Sequence, residues 1–520
     1  PPSSIGKFGG ESDNWMWPRH NADFSVFRIY ANKDNKPAEY SKDNVPYKPK
    51  NVIPISLKGY KQGDFTMVYG FPGRTQEYLS SYAVDMIMNE SDPLKVSLRE
   101  KRLNIMNVDM LQSDAVRIAY ASKYQSVANY YKKWMGEMNG LKKYDAVAKK
   151  QLFENQFNEA ISANAAQKEK YGNIFPQLQK VYAEYKILNK QVDYYSECLM
   201  AIDALNYARF YITLNNELKK KQKGASNTYD KTLEEYKKLG FFKNYNKPTD
   251  IKICEAMLAE YVKGVPSNSR PYVLDSFIVA NNNDAKKMTD FLFSNTNFVD
   301  KEKAEVMLND YDKYTNLYER DPIFYITSSI VKYYNTSVFP QFQYDEREIN
   351  ELQKLYIQGQ KEIFKDKKFY PDANSTLRVA YGKVNNYIPK DGVEYNYYTT
   401  LDGIMEKYIP KDEEFDVPAK LKELYEKKDY GQYANKDGKL QVAFTASNHT
   451  TGGNSGSPVF NAKGQLIGTN FDRNWEGTMS DIMYNPNQCR NITLDVRYTL
   501  FIIDKFAGAG YLLSEMKLVK

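Results

Sequence analysis

Residues Thr450–Phe460 read TTGGNSGSPVF, a stretch whose residue types and spacing suit acyl transfer. A serine hydroxyl attacks a carbonyl only when a base takes its proton and backbone N–H groups hold the oxyanion that forms. Glycines just before Ser455 let the chain turn until neighbouring amides point at one spot. The expected donors are the amides of Gly453 and Ser455. The α/β-hydrolase elbow is G-x-S-x-G followed by a helix. Here Ser457 stands where the second glycine would be, and Pro458-Val459-Phe460 opens a strand instead. Ser455 is therefore the candidate nucleophile of a turn between strands.

A turn of this kind suits a chymotrypsin-like barrel, in which the histidine comes first in the chain, then the aspartate, then the serine. The chain holds only two histidines. His449 lies too close to the turn to reach around it and reads as a pocket-wall residue. His20, within WMWPRHNADF, reads as packed beneath the tryptophans. The base is thus expected upstream of residue 1. The opening PPSSIGKFGG has no Met, no charged leader and no apolar core of a signal segment, so an upstream part is expected to be missing.

The elements that must position Ser455 are legible as texture. DFSVFRIY (Asp23–Tyr30) and DFTMVYGFPG (Asp64–Gly73) read as strands, the second stopped by a Gly-Phe-Pro-Gly turn. From Asp92-Pro93, a cap followed by proline at the first helical position, the pattern turns helical. Phe153, Phe157 and Ile161 recur at spacing four, and the texture lasts, with breaks at GASNTYDK and KGVPSNSRPYV, to about Phe369. Strand signals return in STLRVAYGKV, LQVAFTAS and the hairpin SPVF-NAKG-QLIG, with a helical excursion at AKLKELYEKK and a closing helix from Asp495 to about Phe506. The order β, long α, β places a helical domain inside a β domain, or between its two halves.

Composition excludes several classes. The 520 residues carry 42% hydrophobic residues, and no apolar run reaches the length of a membrane span, so no membrane insertion is expected. The net charge of +7 comes from Lys and Arg scattered among 65 Asp and Glu, with no basic stripe for nucleic acid. The 45 tyrosines are spread along the whole chain and read as core and half-buried surface. The three cysteines have no metal-ligand spacing, and neither metal nor cofactor is expected. Cys198 and Cys254 are able to pair in an oxidising compartment, leaving Cys489 over.

DNWMWPRHNADF, ANYYKKWMGE, TTGGNSGSP and GTNFDRNWEG together resemble the bacterial dipeptidyl-peptidase 7/11 family, in order and over essentially the whole chain. The resemblance implies an α+β fold: a chymotrypsin-like double β-barrel with a large inserted α-helical domain, the first barrel incomplete here. Residues 1–85 would be the C-terminal part of the first barrel, 86–370 the helical cap, and 371–520 the second barrel with the nucleophile. Family members are longer at the N-terminus, where an Asn-His-His-Cys motif, absent from this chain, carries the catalytic histidine. The resemblance makes Asp23 the triad carboxylate and Ser455 the nucleophile, with Gly453 and Ser455 as oxyanion donors. Asn14, Trp15, Asn129 and Asp472 match the positions that hold the free α-amine of the peptide. A carboxylate with amide oxygens suits a cationic amine. The resemblance also implies a homodimer, a periplasmic or secreted location and peptide substrates with a free N-terminus.

Arg473 decides the subtype. It stands 18 residues after Ser455, on a strand that in such a barrel borders the specificity pocket. Members preferring apolar side chains carry glycine there. Arginine offers a fixed fork of donors suited to a carboxylate, as in dipeptidyl-peptidase 11, which cuts after Asp or Glu in second position. The expected activity is removal of such dipeptides through an acyl-enzyme. Two other readings are a non-catalytic fragment or pseudoenzyme lacking its histidine, and a trypsin-like endopeptidase. A surface Arg473 paired with Asp472 or Glu476 is the competing reading of that residue.

Overall fold

The computed structural model describes residues 1–225 and 228–520. They form two compact units. The first comprises Pro1–Tyr78, Asn139–Tyr144 and Phe369–Lys520, the second Leu79–Met138 and Asp145–Lys368.

The described strands all lie in the first unit: β1 Tyr30–Ala31, β2 Val45–Pro46, β3 Ile55–Ser56, β4 Phe65–Gly70, β5 Arg378–Lys383, β6 Tyr387–Lys390, β7 Val393–Tyr395, β8 Tyr398–Thr400, β9 Gln441–Ala446, β10 Ser457–Phe460, β11 Leu466–Arg473, β12 Asn491–Asp495 and β13 Leu518–Val519. The main sheet runs β5-β4-β10-β11-β12-β9-β8, and β3 pairs with β11 and β13. The sheet curls until Val384, just past β5, bridges Ala446 at the end of β9. Asn385 N–H donates to Thr445 O and Ser447 N–H to Lys383 O across the same junction. Inside the curl lie Val68, Val384, Phe444, Val459 and Ile467, all buried. Every residue of β9 and β12 is buried, which is why these strands are rich in Val, Phe, Ile, Leu and Thr rather than alternating with charges.

Strands β4 and β5 are antiparallel neighbours from Phe65↔Lys383 to Gly70↔Arg378, although some three hundred residues separate them in the chain. β4 also pairs with β10. Phe65–Gly70 therefore belongs to the sheet that carries the serine turn. Asp23–Tyr30 differs from its strand-like sequence. Only Tyr30 enters a ladder, opposite Pro46. Phe27 and Ile29 are 87% and 69% exposed, and a strand forms only where a neighbour covers its face and takes its hydrogen bonds.

The second unit is helical around three apolar clusters. One is centred on Leu98, Leu199, Met257 and Ile330, a second on Phe157, Leu178 and Tyr356, a third on Tyr211, Phe298 and Tyr318. Asp92-Pro93 does not open a helix as its sequence implies. Ser81–Met86 is already helical and continues through a π-turn, Ile87–Ser91, into Asp92–Gln112. Proline lacks the N–H that an α-turn needs, and the wider π-turn just before it absorbs the missing bond. The Cys198–Cys254 pairing does not form either: all three cysteines are free and buried. Cys254 instead accepts from Thr289 Oγ1 at 3.6 Å, and burial pushes the Cys198 and Cys254 thiols far up and that of Cys489 up to about 11. Among the described residues no helix is long and apolar enough to cross a membrane, and no group of His, Cys, Asp and Glu is arranged to hold a metal.

His20 anchors the N-terminal loop of the first unit. It is 6% exposed, and a Cβ at Gly403 would collide with its Nε2. Burial first, then Lys407 and Arg19, lower its pKa from 6.5 to about 3. The folded protein thus keeps the imidazole neutral while the unfolded chain protonates it. Its contribution is fully present above pH 6.5 and is lost as pH falls from there toward 3. Between pH 6 and 4 the His20→Gln variant should lose stability less steeply than the wild type, by about 1.4 kcal/mol per pH unit. Denaturant melts at stepped pH read this directly, and parallel slopes would contradict the assignment.

Candidate active site

The serine turn hangs between β9 and β10. Gly453 has φ +102° and Gly456 φ +83°, a region other residues rarely enter, and a Cβ on Gly453 would collide with the carbonyl oxygen of Phe71. Asn454 fastens the turn from within: its Oδ1 accepts the Thr451 N–H at 3.1 Å. Its carbonyl takes the Asn470 Nδ2–H at 3.2 Å, and Asn470 Oδ1 accepts from Asn491 Nδ2 at 2.9 Å. Three buried asparagines on three elements thus hold the turn to β11 and β12. Ser455 itself is exposed. Its Oγ donates to Phe471 O at 3.2 Å, and the amides of Gly453 and Ser455 meet no protein acceptor among the described residues.

Phe471 is the extra residue of a bulge. The β11–β12 register passes from Asn470↔Thr493 to Asp472↔Ile492, and the shift re-aims the two residues that follow. Asp472 Oδ2 accepts from Arg19 Nη1 at 2.8 Å and from the Trp15 N–H at 3.2 Å, while Oδ1 accepts the Arg473 N–H at 2.8 Å. Arg19 is held in turn by Asp13 O at 2.6 Å and Asn21 Oδ1 at 3.0 Å, and lies 5.3 Å over the Phe471 ring. Trp15 adopts φ +66°, and its ring sits 5.4 Å from the Arg473 guanidinium. The neighbouring Asn14 donates to Glu11 at 3.1 Å.

Arg473 is buried, with its backbone N–H on Asp472 and its guanidinium on a different carboxylate. Its Nη1 and Nη2 donate to Asp481 Oδ1 and Oδ2 at 2.6 and 2.8 Å, and Nη1 also reaches Ser480 Oγ at 2.7 Å. The surface-arginine reading is thereby corrected: the partner is Asp481, eight residues on, brought round by the 3₁₀ run Trp475–Asp481. His449 lines the same wall. Its Nε2 faces Ser480 O at 2.8 Å and so carries the proton, the ring stacks on Tyr484 at 4.7 Å, and burial lowers its pKa.

The structure therefore brings Ser455, Trp15, Asp472 and Arg473 to one bulge, with Asn14 beside Trp15. Asp23 is exposed and forms no side-chain hydrogen bond or ion pair among the described residues, and neither histidine bonds to Ser455. Asn129 lies in the helix Asp114–Lys143, within the second unit. Sequence reasoning missed Arg19 and Asp481. WPRH hinted at Arg19 only by its nearness to Trp15, and Asp481 carried no local signal.

A serine in a glycine turn thus lies beside a bulge that presents a carboxylate and a guanidinium side by side. Residues 1–518 match the family described as Peptidase S46. The chain belongs to the peptidase S46 family. It is 46% identical over 521 residues to an Asp/Glu-specific dipeptidyl-peptidase of Flavobacterium psychrophilum, covering 100% of this chain and 72% of the relative. It is 38% identical over 524 residues to dipeptidyl-peptidase 7 of Porphyromonas gingivalis, again with 100% and 72% covered. Among solved structures, Porphyromonas endodontalis DPP11 in complex with the dipeptide Arg-Glu superposes with a TM-score of 0.85 at 35% identity, over 100% of this chain and 74% of that one. For a member of this family the serine turn has a direct test. Gly453→Ala should shift the turn and cut peptide turnover by about 10²–10³-fold with the far-UV spectrum unchanged. Turnover within about threefold of wild type would remove Gly453 from the oxyanion site.

Proposed function

We propose that this chain carries the nucleophile and the substrate-recognition groups of a serine dipeptidyl-peptidase that releases N-terminal dipeptides with Asp or Glu in second position. The observation that carries the reading is the bulge of β11, which sets Asp472 and Arg473 beside the residue whose carbonyl accepts from Ser455. In this reading Ser455 attacks the carbonyl after the second residue. The amides of Gly453 and Ser455 hold the oxyanion, and water then releases the dipeptide from the acyl-enzyme. Asp472, with Trp15 and Asn14, takes the α-amine. Three of the roughly four acceptor positions of the Asp472 carboxylate are already used, which leaves room for one further N–H. Arg473 takes the acidic side chain. The names of the relatives support the same class of substrate, and so do the dipeptide complexes of the P. endodontalis enzyme.

The base is a histidine outside these residues, with Asp23 as its carboxylate. Neither histidine of the chain reaches Ser455, and the relatives are longer. The curled sheet around Val68, Phe444 and Val459 supports a chymotrypsin-like second barrel. The antiparallel pairing of β4 with β5, the strands that flank the helical segment, supports reading that segment as an insertion into this barrel. A first barrel completed by further chain would cover the exposed Phe27, Ile29, Val52 and Ile53. Homodimerisation and a periplasmic or secreted location are carried by the resemblance alone.

In the full-length protein, Arg473→Gly should lower kcat/KM for X-Asp and X-Glu peptides by at least about a hundredfold and leave apolar second residues equal or better. Arg473→Lys should rescue only in part, because a point charge lacks the fork. N-acetylation of the peptide should abolish cleavage by the wild type. Equal rates on free and acetylated peptides would establish an endopeptidase instead.

A further inference from the structure

We propose that a groove in the helical unit binds a small zwitterion, an amino acid or short peptide with a free amine and a free carboxylate, its amine on Asp193 and its carboxylate on Lys190. Every residue lining the groove belongs to the second unit, so nothing in it depends on the assignment of Ser455. It has two chambers, of about 270 and 250 Å³, that share Glu90, Lys186, Lys190 and Tyr194 in their walls. Each is at the small end of the range for ligand pockets, about 300–1,000 Å³, which suits a ligand of this size. The helix Ile174–Tyr194 forms one wall, and the π-turn Ile87–Ser91 contributes Glu90 and Ser91 to another. A second π-turn, Tyr195–Leu199, begins directly after Tyr194, and such turns recur at binding sites.

The charges here do not all find partners within the chain. Four carboxylates lie on or next to the groove, and three already have cations. Glu90 accepts from Lys186 Nζ at 3.1 Å, Asp92 pairs with Lys95 at 2.8 Å, and Glu197 pairs with Arg99 at 2.7 Å and with Arg102. Asp193 has neutral donors only: its Oδ2 accepts from Ser91 Oγ at 2.7 Å and from Asn189 Nδ2 at 2.9 Å. Its Oδ1 accepts from no donor among the described residues and is not sealed off from the groove. Of the two lysines in the shared wall, Lys186 is paired, whereas Lys190 is exposed and forms no hydrogen bond or ion pair among the described residues. An anion and a cation are thus left over three residues apart, on one face of one helix.

The surroundings favour a ligand that carries both signs. Burial, above all, pushes the Asp193 carboxyl up to about 6; Lys95 and the Ser91 hydroxyl hold it down, and Asp92 and Glu197 raise it further. Lys95 is already committed, with its Nζ on Asp92 and 4.2 Å above the Trp134 ring. At pH 7 Asp193 is therefore ionised with too little counter-charge, and an arriving ammonium supplies it. Tyr194 gives both chambers an aromatic wall, which also favours a cation. Its hydroxyl lies so close to Gly264 that any Cβ there would collide with it. A bare anion would meet Asp193 and Glu90, and a bare cation would meet Lys186 and Lys190. A zwitterion satisfies both.

Isothermal titration of the full-length protein tests this, with glycylglycine, glycine, ethylamine and acetate as probes. Glycylglycine or glycine should bind with a Kd on the order of 1 mM or tighter, and the tighter of the two fixes the length of the ligand. Ethylamine and acetate should each bind at least about tenfold more weakly. Asp193→Asn keeps the shape and should weaken zwitterion binding at least about tenfold, whereas Asp472→Asn, in the first unit, should leave this binding in place. Lys190→Glu alters an exposed side chain without threatening the fold. It should weaken the zwitterion at least about fivefold and ethylamine not at all. No binding up to about 10 mM would overturn the proposal, and so would binding unchanged by Asp193→Asn or by Lys190→Glu, or lost only in Asp472→Asn. Ethylamine binding as tightly as glycylglycine would also overturn it, leaving a site for cations alone.

Discussion

Two opposite charges stand side by side on β11, and each is already neutralised by the chain itself. Asp472 is held by Arg19 from the N-terminal loop, and Arg473 by Asp481 from the 3₁₀ run that follows. Charges this deeply placed are tolerated only when paired and hydrogen-bonded. Much of the first unit answers that requirement. The loop around Trp15 and Arg19 must return to the strand, the 3₁₀ run must fold back over it, and the bulge at Phe471 must turn both charges the right way. The asparagine chain Asn454–Asn470–Asn491 then fixes the serine turn at the same level of the sheet. In the proposed reading, Asp472 takes the cationic amine of the dipeptide and Arg473 its anionic second side chain.

The local features were legible in the sequence because they depend on neighbours. Glycines before Ser455 announce a turn wherever it is placed, and the hairpin between β10 and β11 is announced by NAKG. The closing helix has its own cap, Asp495, whose side chain accepts the Arg497 N–H. Features that depend on distant partners were not legible. Arg19 and Asp472 are 453 positions apart, so their pairing has no local trace. Asp23–Tyr30 has strand composition but no covering neighbour, and composition cannot supply one. Asp92-Pro93 carries a helix-start pattern, yet the helix begins earlier and passes through it by a π-turn. The pairing of β4 with β5 across the helical segment was equally hidden, since a strand does not declare its partner.

Family membership and specificity rest on different evidence. Relatives named dipeptidyl-peptidase 7 and relatives named Asp/Glu-specific dipeptidyl-peptidase are both found at 38% identity. Whole-chain similarity at that level therefore identifies the peptidase without choosing its substrate. In the proposed reading the choice falls to a few side chains, among them the guanidinium of Arg473, which pairs with an acidic side chain and is left without one by an apolar side chain.

The central claim is that Ser455 is the nucleophile of a site reading both the amine and an acidic second side chain. Covalent labelling tests it most directly. The full-length protein would be treated with two dipeptide phosphonates, one with a free amine and one acetylated, each bearing an acidic second side chain, and the adduct located by mass spectrometry. A single adduct on Ser455 is expected, formed by the free-amine reagent and not by the acetylated one. An adduct on another residue, or equal labelling by both reagents, would contradict it.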